Sequence, residues 1–320
     1  MHDGQGDPLP ARAALHASGL YLQLRDIGVA ELHDPFLKET IARCAAPERY
    51  VQVSMADLGR ASAASAPAGL VFHVARCGST LVSQLLKQQD ELVVYAEPPA
   101  VNEILRPPQH WQRHELLGAL RSLGDALARH ARRPYVIKCT SWNTLYCELL
   151  AEAFPDTPWV LCLRNPVEVC VSLLQRPPGW LPGTGETSRR FAALIDPQGR
   201  STTNETLVAR TFGAFCEAIA RLDRRRGRLV EYPALPAAVW QQIAPHFAVP
   251  VGEAARGRME EAALRQAKAP VDKAAPFTSD AASKQAAASA TLRAAIAMHA
   301  RPALERLRAA FGLSGTAGEP

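Results

Sequence analysis

Short apolar runs recur along the chain, and between them apolar residues repeat at three- and four-residue steps. Leu70, Val71, Phe72 and Val74 form one such run, the pattern of a strand covered on both faces. Gly78 then permits a turn, and Ser79 and Thr80 suit a helix start. Leu81, Val82, Leu85 and Leu86 follow at helical spacing, which predicts a helix with one face on the sheet. Similar runs at 92–95, 134–139, 158–163 and 228–232 predict four further strands. Helical periodicity fills the intervals, for example Leu116, Leu120, Leu123 and Leu127 within 109–133. Helices are also expected over 143–153, 205–225 and 240–247. The alternation predicts an α/β fold, a five-stranded, mainly parallel sheet flanked by helices with right-handed crossovers.

The same pattern divides the chain. Residues 1–10 read as a disordered N-terminus and 11–66 as an α/β appendage. In the appendage, strands are expected at 21–26 and 50–55. A helix is expected over 36–45, with Asp34 as its cap and Pro35 at its first position. The small, polar stretch 61–69 is a linker into the main domain, 67–320. Residues 176–204, rich in Pro, Gly, Ser and Thr, read as an insertion or lid loop. Residues 265–320 form a tail, loop-like to 279 and then helical, broken at Pro302. Leu292, Ile296, Leu304, Leu307 and Phe311 are its burying face. The appendage is expected to serve packing, substrate-side cover or dimerisation, so a homo-oligomer is among the expectations.

Composition narrows the function. Of 320 residues 48% are apolar and 21% charged, and the net charge is +5. That favours anionic ligands but is too weak for a nucleic-acid partner. Seven cysteines, an odd number without metal-site spacing, predict reduced thiols in a cytoplasmic protein and no metal centre. No apolar run suits a membrane span, and residues 1–10 carry no apolar signal core.

The candidate chemistry lies at strand ends. The turn after the first apolar run points backbone N–H groups and a helix N-terminus at one place, which reads as an anion cradle of Arg76, Cys77, Gly78, Ser79, Thr80 and Leu81, although an ordinary strand-to-helix turn reads the same way. It is not a Walker A loop, because Ser79 rather than Lys follows Gly78. Glu97 ends the second strand, on the ligand side of such a sheet, although a surface or capping acid reads the same way. Lys138 ends the third strand and is either a charge neutraliser or solvated. Arg164 ends the fourth, ahead of Asn165 as N-cap and Pro166 as first helical residue, and its guanidinium suits a second phosphate. Ser172 falls off the buried stripe of the helix that follows. His73 reads as core. His110, Trp111 and His114 read as a polar helix start beside the substrate side.

In combination these segments resemble the sulfotransferases that use 3′-phosphoadenylyl sulfate, over about 69–247. Val74-Ala75-Arg76-Cys77-Gly78-Ser79-Thr80-Leu81 resembles that family's 5′-phosphosulfate loop, and Leu163-Arg164-Asn165-Pro166 through Val171-Ser172 resembles its 3′-phosphate segment. Ala96-Glu97-Pro98 is similar to the Glu-Pro of bacterial members, and Leu229-Val230-Glu231-Tyr232 to a later strand end. Ala75 and Cys77 depart from the usual Pro and Ser. No His follows Lys138-Cys139-Thr140, and only Lys268 and Lys273 stand where a C-terminal basic segment belongs.

The resemblance implies a P-loop-like nucleotide-kinase core and no metal. The donor is 3′-phosphoadenylyl sulfate (PAPS) and the product adenosine 3′,5′-bisphosphate (PAP). The acceptor is a small molecule, glycan or lipid. Glu97 is the implied base, Lys138 the implied helper, and Arg164 and Ser172 the implied holders of the 3′-phosphate. A kinase using Mg·ATP and a non-catalytic nucleotide-binding scaffold are the alternatives.

Overall fold

The computed structural model describes residues 7–61, 65–106, 110–179, 181, 186–199, 201, 203–265, 267 and 280–313. The front of the chain forms an antiparallel sheet of β1 (Leu9–His16), β2 (Gly19–Arg25) and β3 (Glu48–Ser54), with α1 (Leu37–Arg43) between the last two and α2 (Met55–Leu58) after them. The main sheet follows: β4 (Gly69–His73), α3 (Ser79–Leu86), β5 (Val93–Ala96), α4 (Pro99–Ile104), α5 (Arg113–Ala131), β6 (Tyr135–Lys138), α6 (Cys147–Ala153), β7 (Trp159–Leu163), α7 (Pro166–Gln175), α8 (Glu186–Ile195), α9 (Asn204–Ala220) and β8 (Gly227–Glu231). The chain ends in helices α10 (Ala244–His246), α11 (Glu253–Ala263), α12 (Ala281–Ala287), α13 (Ala290–Ala295) and α14 (Arg301–Ala310).

The main sheet has the order β5-β6-β4-β7-β8 and is parallel throughout. This is the α/β architecture the apolar runs predict. Every residue of β4, β5, β6 and β7 is buried, which is why these segments read as continuous rather than alternating runs. The chain leaves β4 toward the β5 edge, returns through β6 beside β4, and crosses to β7 on the other side. The C-terminal end of β4 is therefore a topological switch point, where open α/β sheets bind ligands.

Several boundaries differ from expectation. Leu9 and Pro10 are buried in β1, not disordered, because Leu9 packs into the core and pairs with Arg25. Residues 1–6 lie outside the described residues. Helix α1 begins at Leu37 rather than Phe36. Asp34 does not cap it; its carboxylate binds Thr40 Oγ1 at 2.8 Å and the Arg43 guanidinium instead. The stretch 176–204 is not simply a loop, since α8 occupies part of it with Phe191 and Ile195 buried. Helix α11 carries no strong apolar stripe and was not expected. Lys268, Lys273 and most of the 265–279 segment lie outside the described residues. The front sheet packs through β1 on α4 and α5. Among the described residues no helix is long and apolar enough to cross a membrane.

Candidate functional site

Beyond β4 the backbone passes through the left-handed region at Ala75, Arg76 and Gly78, with φ of 66°, 51° and 83°. For the two non-glycine residues this costs on the order of 1–2 kcal/mol each. His73 helps to hold the conformation. Its Nε2–H donates to the Cys139 carbonyl (2.9 Å), and its Nδ1 accepts the Ala75 amide (3.2 Å). The sequence marked His73 as a core residue, and it is one, but it is also the post on which the loop hangs.

The amides of Arg76, Cys77, Gly78, Thr80 and Leu81 find no partner among the described residues. Left-handed turns followed by a helix N-terminus form an anion-binding concavity. Ser79 and Thr80 are buried at its base. The Cys77 side chain is also buried, and burial pushes its thiol pKa up, so this residue serves the cradle through its backbone. The Arg76 guanidinium donates to the Arg176 carbonyl at 2.7 Å. Burial, and then the Arg176 charge, lower its pKa. Both effects make an anion between these guanidiniums favourable.

At the neighbouring strand ends the register pairs Ala96 with Lys138. Lys138 is 1% exposed, and its Nζ is ion-paired with Glu97 Oε1. Lys138 is thus neither solvated nor free, contrary to one of the two sequence readings. Glu97 has φ 55°, and its Oε2 has no partner among the described residues. The Phe36 ring lies 5.3 Å from Lys138 Nζ, which brings the front segment to the site. Beside it, Asn102 Nδ2 donates to Thr140 Oγ1 (3.0 Å) and Asn143 Nδ2 to Asn102 Oδ1 (2.9 Å).

On the other side of β4, Arg164 ends β7 as predicted, and Asn165 caps α7 by accepting the Val167 amide at 2.9 Å. The Arg164 guanidinium already has carboxylate partners. Nε–H donates to Glu168 Oε2 (2.6 Å) and Nη2 to Asp280 Oδ1 (2.7 Å), while Nη1 reaches the Arg76 carbonyl at 3.4 Å. Tyr232 stacks beneath it, ring centroid 4.2 Å from Cζ. Burial opposes the Arg164 charge, but the bonds to Asp280 and Glu168 outweigh it and hold its pKa above the ordinary value. Ser172 is half-buried, one turn beyond Glu168, and makes no side-chain hydrogen bond to Arg164. Glu231 is bound to Arg308 (2.8 Å) and belongs to the packing of α14. His110 and His114 are exposed around the start of α5, and Trp111 is buried.

The structure thus brings Arg76 to Leu81, Glu97, Lys138 and Arg164 to one sheet edge. It adds Glu168, Asp280, Lys284 and Phe36, which sequence reasoning missed, and Tyr232, which it placed only at a later strand end. Arg164/Glu168 and Asp280/Lys284 each carry the four-residue spacing of a helical ion pair, a signal present in the sequence. Their meeting across 116 residues had none.

No protein-family model and no curated protein sequence matches the chain. Among solved structures, it is similar to a sulfotransferase domain from the Synechococcus PCC 7002 olefin synthase, at 17% identity and a TM-score of 0.43, over 79% of this chain and 96% of that one. It is similar to a sulfotransferase from Alicyclobacillus acidocaldarius at 16% identity and a TM-score of 0.40, over 76% and 94%. A sulfotransferase from Mycobacterium avium matches at 15% identity and 0.39, over 62% and 69%. Overlap at this level bears on neither activity nor ligand.

Proposed function

We propose that this chain transfers a sulfuryl group from PAPS to a hydroxyl or amine of a small molecule, glycan or lipid. One observation carries the reading: two anion stations stand side by side on one sheet edge, joined by the contact of Arg164 Nη1 with the Arg76 carbonyl. A nucleotide with phosphates at two separated positions suits that pair. A single polyphosphate chain needs only the first.

The residues present fit such a donor. The cradle offers five unpartnered amides, and the second station already holds a carboxylate on Arg164. When bound, the donor supplies a sulfuryl group whose bond to the 5′-phosphate breaks as the bond to the acceptor forms, with PAP leaving. The amides of Arg76, Cys77, Gly78, Thr80 and Leu81 and the Arg76 charge would stabilise the negative charge that builds on the leaving phosphate. Arg164 would hold the 3′-phosphate. Glu97 Oε2 would take the acceptor's proton, and Lys138 holds that carboxylate in place through Oε1.

Calorimetric titration with PAP, AMP and Mg·ATP tests the reading. Metal-independent binding of PAP, tighter than AMP, is expected, and Arg164→Ala should weaken PAP far more than AMP. Preference for Mg·ATP, or equal loss of PAP and AMP in the variant, would overturn it.

A further inference from the structure

The second anion station is built from buried cations and closed by an exposed anion. Arg164 and Lys284 are each 8% exposed. They converge on one carboxylate: Asp280 Oδ1 lies 2.7 Å from Arg164 Nη2, and Asp280 Oδ2 lies 2.6 Å from Lys284 Nζ. The Asp280 side chain is 52% exposed. Its charge is restorable to water at small cost, whereas the two cations have no such escape. Burial raises the Asp280 pKa, but Lys284 and then Arg164 lower it further, so the carboxylate sits in the station as an anion.

Charge decides what else can enter. Arg164 and Lys284 are balanced by Asp280 and Glu168. A phosphate dianion added to that set leaves two negative charges in surplus. With Asp280 withdrawn, it meets two cations and one fixed carboxylate. Phosphate and Asp280 are therefore alternatives. Helix α12, which starts after Asp280, packs on α7, and Gln285 Nε2 reaches Glu168 Oε1 at 3.5 Å. Helix α12, which carries Lys284, is thus held to α7 by a contact that does not involve Asp280.

Resting on the reading above, we propose that Arg164 and Lys284 together form the seat of the donor's second phosphate, and that the Asp280 carboxylate is an internal anion that fills this seat and must be displaced for binding. Asp280 is then a built-in competitor that weakens binding of the bisphosphate without touching the first station.

The test is calorimetric titration of the full chain with PAP and with AMP. Asp280→Asn keeps a hydrogen-bonding oxygen and removes the charge. It should bind PAP roughly tenfold tighter than wild type, with AMP changed less than about twofold. Asp280→Ser, which keeps a helix-start oxygen, should do the same and covers a fold defect peculiar to Asn. Lys284→Gln should weaken PAP by roughly tenfold and leave AMP alone. If wild type prefers PAP to AMP but both Asp280 variants bind it equally or more weakly, Asp280 is a structural partner and the proposal fails. If no form prefers PAP, the two-phosphate reading itself is wrong and the internal competitor falls with it.

Discussion

Lys138 and Glu97 form an ion pair across the ends of two adjacent parallel strands, with the lysine fully buried and the glutamate backbone in the left-handed region. The pair leaves the other carboxylate oxygen of Glu97 without a partner among the described residues. Glu97→Gln keeps the size and the contact with Lys138 but removes the proposed base. It should lower turnover by about a hundredfold or more, with PAP affinity within about twofold of wild type. Turnover would be measured with an acceptor found by screening hydroxyl and amine compounds; an unchanged rate removes Glu97 as the base. Lys138→Met leaves the carboxylate without its cation and should destabilise the fold by about 1–3 kcal/mol, read from the urea midpoint.

Gly78 sits at φ 83°, under Tyr232 and Leu235. A Cβ there would lie 2.7 Å from Leu235 Cδ1 and 3.0 Å from Tyr232 Cδ2. Gly78→Ala therefore combines backbone strain with a clash, and should cost about 1–2 kcal/mol of stability. On the proposed reading the cradle amides hold the 5′-phosphate of either ligand, so PAP and AMP should weaken together, by roughly tenfold. A thermal melt and the two titrations suffice; unaltered binding of both would show that this turn does not hold the phosphate.

The fold was legible because the strands of a parallel sheet are buried on both faces, and Leu70 to Val74 or Trp159 to Leu163 then read as unbroken apolar runs. The cradle was legible because its chemistry is local: Gly78, Ser79 and Thr80 sit together in sequence. Arg164 was found for the same reason, at a strand end before Asn165 and Pro166. Its partners were not, because Asp280 and Lys284 reach it only through tertiary packing of α12 on α7. Lys138 was visible as a residue, but its ionic partner depends on the β5–β6 register. Leu9 was missed because β1 is built from Pro10 and three alanines rather than β-branched or aromatic residues, and burial against α4 and α5 overrides that weak local signal.

Cys77, Cys139, Cys147, Cys162, Cys170 and Cys216 are buried, and Cys44 is half-buried. Burial pushes the Cys147 thiol up to about 12 and raises those of Cys77 and Cys44 as well. Thiolate is the reactive form. Titration of the native protein with a disulfide reagent at pH 8 should therefore find one slowly reacting thiol, and seven after denaturation in guanidinium. Alkylation of the native protein should leave PAP binding unchanged. Rapid modification of a second thiol with loss of binding would mean that the Cys77 side chain opens into the cradle.

His130 ties the segment after β2 to β5, the strand that precedes Glu97. His130, buried on α5, donates Nε2–H to the Ile27 carbonyl (2.8 Å), and its Nδ1 lies 2.6 Å from the Tyr95 hydroxyl of β5. Burial lowers its pKa below the ordinary 6.5, against the opposing effect of the Ile27 bond. The unfolded chain therefore binds more protons than the folded one once the pH falls below about 6.5. Stability contributed by the neutral imidazole is complete above that pH and declines as the pH drops toward the folded value, with a slope of at most about 1.4 kcal/mol per pH unit. Urea unfolding between pH 7.5 and 5 should show this decline in wild type. In His130→Gln, whose side-chain amide can still donate to the Ile27 carbonyl, the decline should be shallower. Parallel curves for the two proteins would assign the acid sensitivity to carboxylates elsewhere and leave His130 a pH-indifferent tie.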